Sequence, residues 1–276
     1  PMMAAIWSTD AGSVGDMEAS AFLEFFTNHG LLQFRGRPQW RTVVGGSRTY
    51  VDAILSEPGV SLETGVRIHT IERMTDGVRL VARDGVRQFD EVVLAVHAPD
   101  ALSLLAVPSH AELELLEPFR YTPSTAWLHT DATLMPRRRR AWASWNYLTA
   151  ADGRLCVTYW MNHLQPLTTR HDVFLTLNPP REPAQAVASF DYEHPVLNTA
   201  TARAREGLWQ LQGQQRTWFC GAWFGYGFHE DGLQSGLAVA EAISGVQRPW
   251  ELSEPNSRIS VRAQPDVASA SERNAA

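Results

Sequence analysis

Residues 65 to 96 alternate with a period of two and then abruptly stop alternating, and no other stretch constrains the fold as tightly. Val66, Ile68 and Thr70 fall on one face of a strand. Val78, Leu80 and Ala82 follow an Asp76-Gly77 turn, and a third strand follows Asp84-Gly85. Asp-Gly between alternating runs is a strong hairpin signal, because the tightest hairpin turns need positive φ at their central residues. Phe89 to Val96 then becomes continuously apolar from Val92 onward, which predicts a strand covered on both faces, as in a parallel sheet. Pro99 to Leu105 reads as an apolar helix leaving that strand. The expected fold class is α/β (α+β).

A second constraint lies near the C-terminus. Trp218 to Cys220 reads as a short strand, and Gly221 ends it where a side chain would obstruct close approach. A glycine- and aromatic-rich loop follows. Asp231 stands at the expected N-cap, and Gly232 to Ile243 reads as a helix with small residues at Ser235, Gly236, Ala238 and Ala240. Small residues let a helix pack closely on a sheet or a flat ring. Its N-terminus offers unbonded N–H groups and about half a positive charge, which suits a phosphate or the N1–C2=O edge of a reduced flavin.

Residues 107 to 206 differ from both. Thr125 to Thr130, Ala141 to Tyr147, Cys156 to Asn162 and Phe174 to Asn178 predict an antiparallel sheet with one polar and one aromatic face. The run Arg137 to Arg140 lies between two of these strands. It reads as a solvated hairpin tip, with a contact to an anion or a lipid headgroup at a membrane periphery as the alternative. Upstream, Asp16 is the expected N-cap of a helix whose apolar face is Ala19, Phe22, Leu23, Phe25 and Phe26, ending near Gly30. A short strand from Gln39 runs into the pair Gly45-Gly46 and a helix from Tyr50 to Leu55. The glycine pair is either a tight turn or a place where backbone approaches a ligand closely. Thr199 to Gln212 predicts an amphipathic helix.

Composition narrows the function classes. A net charge of −6 and a pI near 5.9 argue against nucleic acid as a partner. No apolar run approaches the roughly 18 residues of a membrane span. The two cysteines, Cys156 and Cys220, make no disulfide framework, and no secretory signal is evident, so a cytoplasmic location is expected. All 24 basic residues are arginine, which excludes Schiff-base lysine chemistry and a P-loop within these residues. No metal site is expected: His229-Glu230 begins like a zinc-protease motif, but Leu233 occupies the position of its second histidine. Cys220 reads as a buried strand cysteine, with a nucleophile or a covalent flavin link as the alternative. The chain opens on Pro1 in what reads as the middle of a domain, so a fragment is expected.

Five separated motifs in order carry a resemblance: Val44-Gly45-Gly46-Ser47-Arg48-Thr49-Tyr50, Val93-Leu94-Ala95-Val96-His97, Trp142-Ala143-Ser144-Trp145-Asn146-Tyr147, Tyr159-Trp160-Met161-Asn162 and Gly227-Phe228-His229-Glu230-Asp231-Gly232. Over roughly residues 1 to 246 the chain resembles the flavin-containing amine oxidase superfamily. More narrowly, it is similar to bacterial NAD/FAD-binding proteins associated with cyclopropane-fatty-acid synthases. The resemblance implies a partial two-dinucleotide-binding FAD domain interleaved with a substrate domain built on the antiparallel sheet. Residues 1–38 would be a substrate or cap segment, 39–106 and 207–246 FAD-domain segments, 107–206 the substrate domain, and 247–276 a disordered tail.

FAD is the implied cofactor, and the implied reaction is hydride removal from an organic substrate, with a fatty-acyl chain as the candidate. Implied cofactor contacts are Gly45, Gly46, Val66 near the adenine, Ala95, Val96, Gly221, Ala222, Asp231, Gly232, Leu233 and Ser235. Candidate catalytic residues are His229 and Glu230 by the flavin edge, and Tyr159, Trp160 and Asn162 on the sheet above it. Two departures from the family pattern stand out. No G-x-G-x-x-G unit is present, so the pyrophosphate-binding element is expected in a missing N-terminal segment of the same protein. Gly221-Ala222 replaces the usual Gly-Asp. The absence of lysine removes the residue that holds water near N5 in many amine oxidases, which favours an acyl substrate over an amine. The competing readings are a truncated non-catalytic fragment and a flavin-independent lipid-binding module.

Overall fold

The structure is a computed structural model that describes residues 6–7, 11–36, 38–149 and 155–261. In chain order its elements are α1 (Ala19–Asn28), α2 (Arg48–Leu55), β1 (Ile68–Arg73), β2 (Val78–Ala82), β3 (Gly85–Phe89), β4 (Val92–Leu94), α3 (Ala98–Leu104), α4 (His110–Leu116), β5 (Tyr121–His129), β6 (Trp145–Thr149), β7 (Leu155–Trp160), α5 (Met161–Leu164), β8 (Phe174–Leu177), β9 (Ala186–Pro195), α6 (Thr199–Gly207), β10 (Thr217–Phe219) and α7 (His229–Ser244). The fold is mixed α/β, as expected. The described residues sort into two compact units, one drawn from Pro1–Thr64 and Tyr121–Val196, the other from Gly65–Arg120 and Leu197–Ala276.

The first unit is built on an antiparallel sheet in the order β6-β7-β8-β5-β9. Its register puts Trp145, Tyr159, Leu175 and Leu128 opposite one another on one face, and Asn146, Thr158 and Thr176 opposite one another on the other. The expected split into a polar and an aromatic face does not hold, because Trp127, Trp160 and Phe174 share this second face with the polar groups. Those groups are buried: Asn146, Thr158, Thr176 and His129 are at most 4% exposed. Burial is tolerable because each polar group finds a partner. Asn146 donates to the carbonyls of Ala143 (2.7 Å) and Thr158 (3.2 Å) and accepts from the Ala143 amide (3.0 Å).

Several boundaries differ from the sequence reading. Ala141 to Ser144 is a short helical turn and loop, so β6 begins only at Trp145, and Met161-Asn162 turn into α5 instead of extending β7. Strand β9 was not anticipated. It is a mostly exposed edge strand, so it lacks the alternation that burial imposes. In α1 the N-cap is Glu18, because Asp16 closes the preceding 3-10 turn. Residues 39–43 form a loop with no strand pairing, and Gly45 and Gly46 turn into α2 with φ of +82° and +83°.

The second unit pairs an antiparallel meander, β1-β2-β3, with a two-stranded parallel sheet, β10-β4. Both predicted Asp-Gly turns are present. A bulge between Ile68 and Thr70 switches the inward face of β1, so Ile71, 1% exposed, is its core residue. Strand β4 is not covered on both faces among the described residues: Leu94 is buried, but Val93 is 44% exposed. The free edge of β10 is closed by the Gln212 amide, which donates to the Phe219 carbonyl (2.7 Å) and accepts from its N–H (2.9 Å). Gly207 ends α6 before Gln212, and a 3-10 turn carries Leu208 and Leu211 into the core. Arg73 and Glu112 form a buried ion pair, and Glu112 also closes the capping box of α4 with Ser109. Residues 247–261, expected within a disordered tail, pack back on α7. Arg248 pairs with Glu241 (2.6 Å), Arg258 pairs with Asp231 (2.5 Å), and Ile259 is buried. Residues 262–276 lie outside the described residues. Among the described residues, no helix is long and apolar enough to cross a membrane.

Candidate functional site

Strands β4 and β10 run parallel and end together, and ligands of open α/β sheets bind at such carboxyl ends. The Cys220 amide donates to the Leu94 carbonyl (3.1 Å), extending the pairing up to Gly221. Gly221 adopts φ +149°, and a Cβ there would lie 2.6 Å from the Trp223 Nε1, which itself donates to the Val96 carbonyl (3.0 Å). The turn thus folds onto both strand ends, and only glycine fits at its start. Helix α7 then begins at His229, with Phe228 as N-cap.

Asp231 is therefore the third helical residue and not the cap. Its fully buried carboxylate accepts from the amides of Tyr226 (2.9 Å) and Phe228 (2.8 Å) and from Arg258 Nε (2.5 Å). Ser235 is equally buried. Its hydroxyl accepts from the Gly221 amide (3.0 Å) and reaches the carbonyls of Gly232 (3.0 Å) and Gly221 (3.2 Å). Both were expected to touch a cofactor; their side chains instead lock the turn to the helix. The accessible groups at this end are Ala95, Val96, Ala222, Gly232 and the exposed Leu233. The amides of His229 and Glu230 have no partner among the described residues. Two parallel strand ends, accessible small residues and two unbonded helix-terminal N–H groups fit a flavin nucleotide.

His229 and Glu230 are exposed at this helix end, and Glu230 accepts from Gln234 (2.9 Å). Val66 lies just before β1 in the same unit, half-buried. Gly45 and Gly46 belong to the first unit, as do Tyr159, Trp160 and Asn162. Burial raises the thiol pKa of Cys220, and it pushes that of Cys156 to about 11. Neither is a thiolate nucleophile at neutral pH.

The first unit holds a cavity of about 910 Å³, walled by Phe25, Leu31, Trp40, Trp145, Met161 and Leu164 and carrying Arg41, Thr42, Ser144, His163 and Gln165 as its polar groups. Trp40 meets Trp145 edge-on at 6.1 Å, and Tyr159 packs edge-on against the same Trp145 at 5.7 Å. Ser144 Oγ and His163 Nδ1 share a hydrogen bond of 2.8 Å, and the His163 ring stacks on Trp160. Trp160 in turn donates to Asp172 (3.0 Å), so of the two it is a support and His163 is the cavity-lining group. Asn162 clamps the 171–173 loop, donating to the His171 carbonyl (2.9 Å) and accepting from the Val173 amide (2.7 Å). Ser144, His163 and Arg41 escaped the sequence reading. Ser144 stands inside a motif singled out there and His163 directly follows another, but nothing in the spacing marks them as partners.

The run Arg137 to Arg140 is exposed, as its solvated reading has it, but it joins β5 to β6, which do not pair, so it is no hairpin tip; within it Arg139 is anchored. Its guanidinium makes two bonds to Asp172 (2.8 and 3.2 Å) and lies 4.4 Å from the Trp142 ring centroid and 5.4 Å from that of Trp160.

Residues 2–163 match the family described as flavin containing amine oxidoreductase. That is more than half of the chain, which therefore belongs to this family, and FAD is the cofactor of that family. A solved protein assigned as a protoporphyrinogen oxidase from Exiguobacterium is similar at 16% identity and a TM-score of 0.52, covering 81% of this chain and 57% of its own. A cofactor-binding redesign of putrescine oxidase is similar at 8% identity and a TM-score of 0.53, covering 74% of this chain and 54% of its own. Both likenesses are of fold. A CLA-producing fatty acid isomerase from P. acnes is similar at 15% identity and a TM-score of 0.43, covering 63% of this chain and 45% of its own. The chain thus spans about half the length of these solved proteins. No curated protein matches it.

Proposed function

We propose that the chain is part of an FAD-dependent oxidoreductase that acts on an organic substrate with an apolar, acyl-like body. The observation that carries this reading is the parallel β4–β10 pair ending at Gly221, beside a helix whose first two amides are unbonded. Ala95, Val96, Gly221, Ala222, Gly232 and Leu233 would border the cofactor, while Asp231 and Ser235 hold that border in shape. FAD, when bound, supplies the hydride acceptor. The chain's own residues bind, orient and desolvate. The cavity walled by Trp40, Trp145, Phe25 and Leu31 gives an apolar body a place to lie, and the Ser144–His163 pair offers a proton donor or acceptor beside it.

The pyrophosphate-binding G-x-G-x-x-G unit is not among these 276 residues. The test is therefore the flavin content of the protein expressed from its own start codon, read as visible absorbance and as FAD released on denaturation. Near-stoichiometric FAD is expected. A colourless protein that takes up none on incubation with FAD overturns the reading and leaves a lipid-binding module as its successor.

A further inference from the structure

The cavity of the first unit carries one guanidinium and no carboxylate. Its lining includes Arg41 and His163 but neither Asp nor Glu. Arg41 is exposed and makes no ion pair or hydrogen bond among the described residues, whereas His163 is already bonded to Ser144. A planar guanidinium without a protein partner, at the rim of an aromatic cavity, matches one kind of ligand: a single negative head on an apolar body. A cationic head would face Arg41 with no acid to offset it. Two tryptophans can sometimes cage a cation, but that needs ring faces turned toward one point, and the Trp40 and Trp145 planes stand at 82° in an edge-on contact.

We infer that this cavity binds an apolar monocarboxylate, with the carboxylate paired to Arg41 and the body lying along Trp40 and Trp145, and that it rejects the corresponding amine. As a statement about the substrate, this rests on the proposed function; as a statement about binding, it does not.

The experiment is a titration followed by tryptophan fluorescence, since Trp40 and Trp145 wall the cavity. Dodecanoate, methyl dodecanoate, dodecylamine and dodecyl phosphate are the probes, each kept below its micellar range. Dodecanoate is expected to bind about tenfold or more tightly than the ester or the amine. Arg41→Gln, at an exposed and unpartnered position, should leave folding intact and bring the acid down to the level of the ester. Arg41→Lys should restore part of the difference. Equal binding of acid and ester, tighter binding of the amine or the phosphate, or an Arg41→Gln variant unchanged toward dodecanoate would each overturn the inference. Flavin content, measured on the same preparations, separates its fate from that of the functional reading. Acid-selective binding without flavin sinks only the oxidoreductase, and flavin without acid selectivity sinks only this site.

Discussion

His129 Nε2 and Thr176 Oγ1 meet at 2.6 Å inside the five-stranded sheet, and their neighbours fix which atom donates. The Asp131 amide donates to His129 Nδ1 (3.1 Å), so Nδ1 is bare and Nε2 carries the proton. Thr176 accepts that proton and passes its own to Thr158 Oγ1 (2.9 Å), which donates to the Leu134 carbonyl (3.2 Å). The chain runs one way and leaves no acceptor for a second imidazole proton.

Burial lowers the His129 pKa most strongly, Asp131 works against this, Arg181 adds to it, and the net shift is downward from 6.5. Below that value the unfolded chain takes up a proton that the folded one refuses, so stability falls as pH drops from about 6.5 and is unaffected above it. His194, also buried and lowered by desolvation, contributes with the same sign. Urea denaturation should therefore show a lower midpoint at about pH 5.5 than at about pH 7.5. In His129→Gln that difference should shrink without vanishing; an unchanged difference would remove His129 from the account. Thr176→Val should cost about 1–3 kcal/mol by leaving the Nε2 proton unpaired.

Asp231 is a second fully enclosed polar residue, and its role is mechanical. Three donors converge on its carboxylate from the 225–228 loop and from Arg258. Asp231→Ala strands all three, and removing one partner of a buried charged pair typically costs about 3–5 kcal/mol. The expected result is a large fall in thermal midpoint together with loss of bound FAD. Arg258→Met should cost less, because the two loop amides stay satisfied. A mild Asp231→Ala phenotype would return this residue to the ligand-facing role first expected of it.

What could be read from the sequence followed what local chemistry enforces. The two Asp-Gly hairpins, α3 behind Pro99 and the glycine-marked end of β10 announce themselves, because turn geometry leaves few residue choices. The period-two reading placed Val66, Ile68 and Thr70 on one face, yet a bulge at 68–70 turned Ile71 inward, and no pattern in six residues reveals an inserted residue. Asp231 and Ser235 read from the sequence as cofactor contacts, while in the structure their side chains bond to the adjoining loop, the turn at Gly221 and Arg258. Sequence marks a helix start, whereas which side chains point inward depends on Arg258 arriving from 27 residues away. Ser144 and His163 are bonded across 19 residues, and sequence spacing carries no trace of that contact.

Two glycines, one on the candidate flavin border and one inside α7, should respond in opposite ways to alanine. Gly221 has φ +149°, and a new Cβ would stand 2.6 Å from Trp223 Nε1. Backbone strain of this kind costs about 1–3 kcal/mol, and displacing Trp223 would also break its bond to the Val96 carbonyl. Gly236, inside α7, has helical backbone and nothing within 4 Å of the added methyl. Gly236→Ala should stabilise the flavin-free protein by about 0.5–1 kcal/mol, the helix-interior difference between the two residues. Thermal melts of both variants check the pair. Destabilisation by Gly236→Ala in flavin-free protein would mean that the open space beside it is filled.

Arg139 offers the last test, because three arginines flank it as controls. It alone of Arg137 to Arg140 is held by Asp172 and by the faces of Trp142 and Trp160, and Asp172 also accepts from the Trp160 indole. Removing the guanidinium frees Asp172 and uncovers one side of Trp160, whose ring also meets His163 and Trp142. The pair is exposed enough that solvent screens it, so Arg139→Ala should barely move the thermal midpoint. Its sharper signature is optical: the Trp142 and Trp160 environment changes, and tryptophan emission should shift in Arg139→Ala but not in Arg137→Ala or Arg140→Ala. If dodecanoate binding then weakens in Arg139→Ala while Arg139→Lys restores it, the guanidinium positions the His163 side of the cavity. An equal emission shift in all three alanine variants would instead make the run a uniform charged surface, with no special anchor at Arg139.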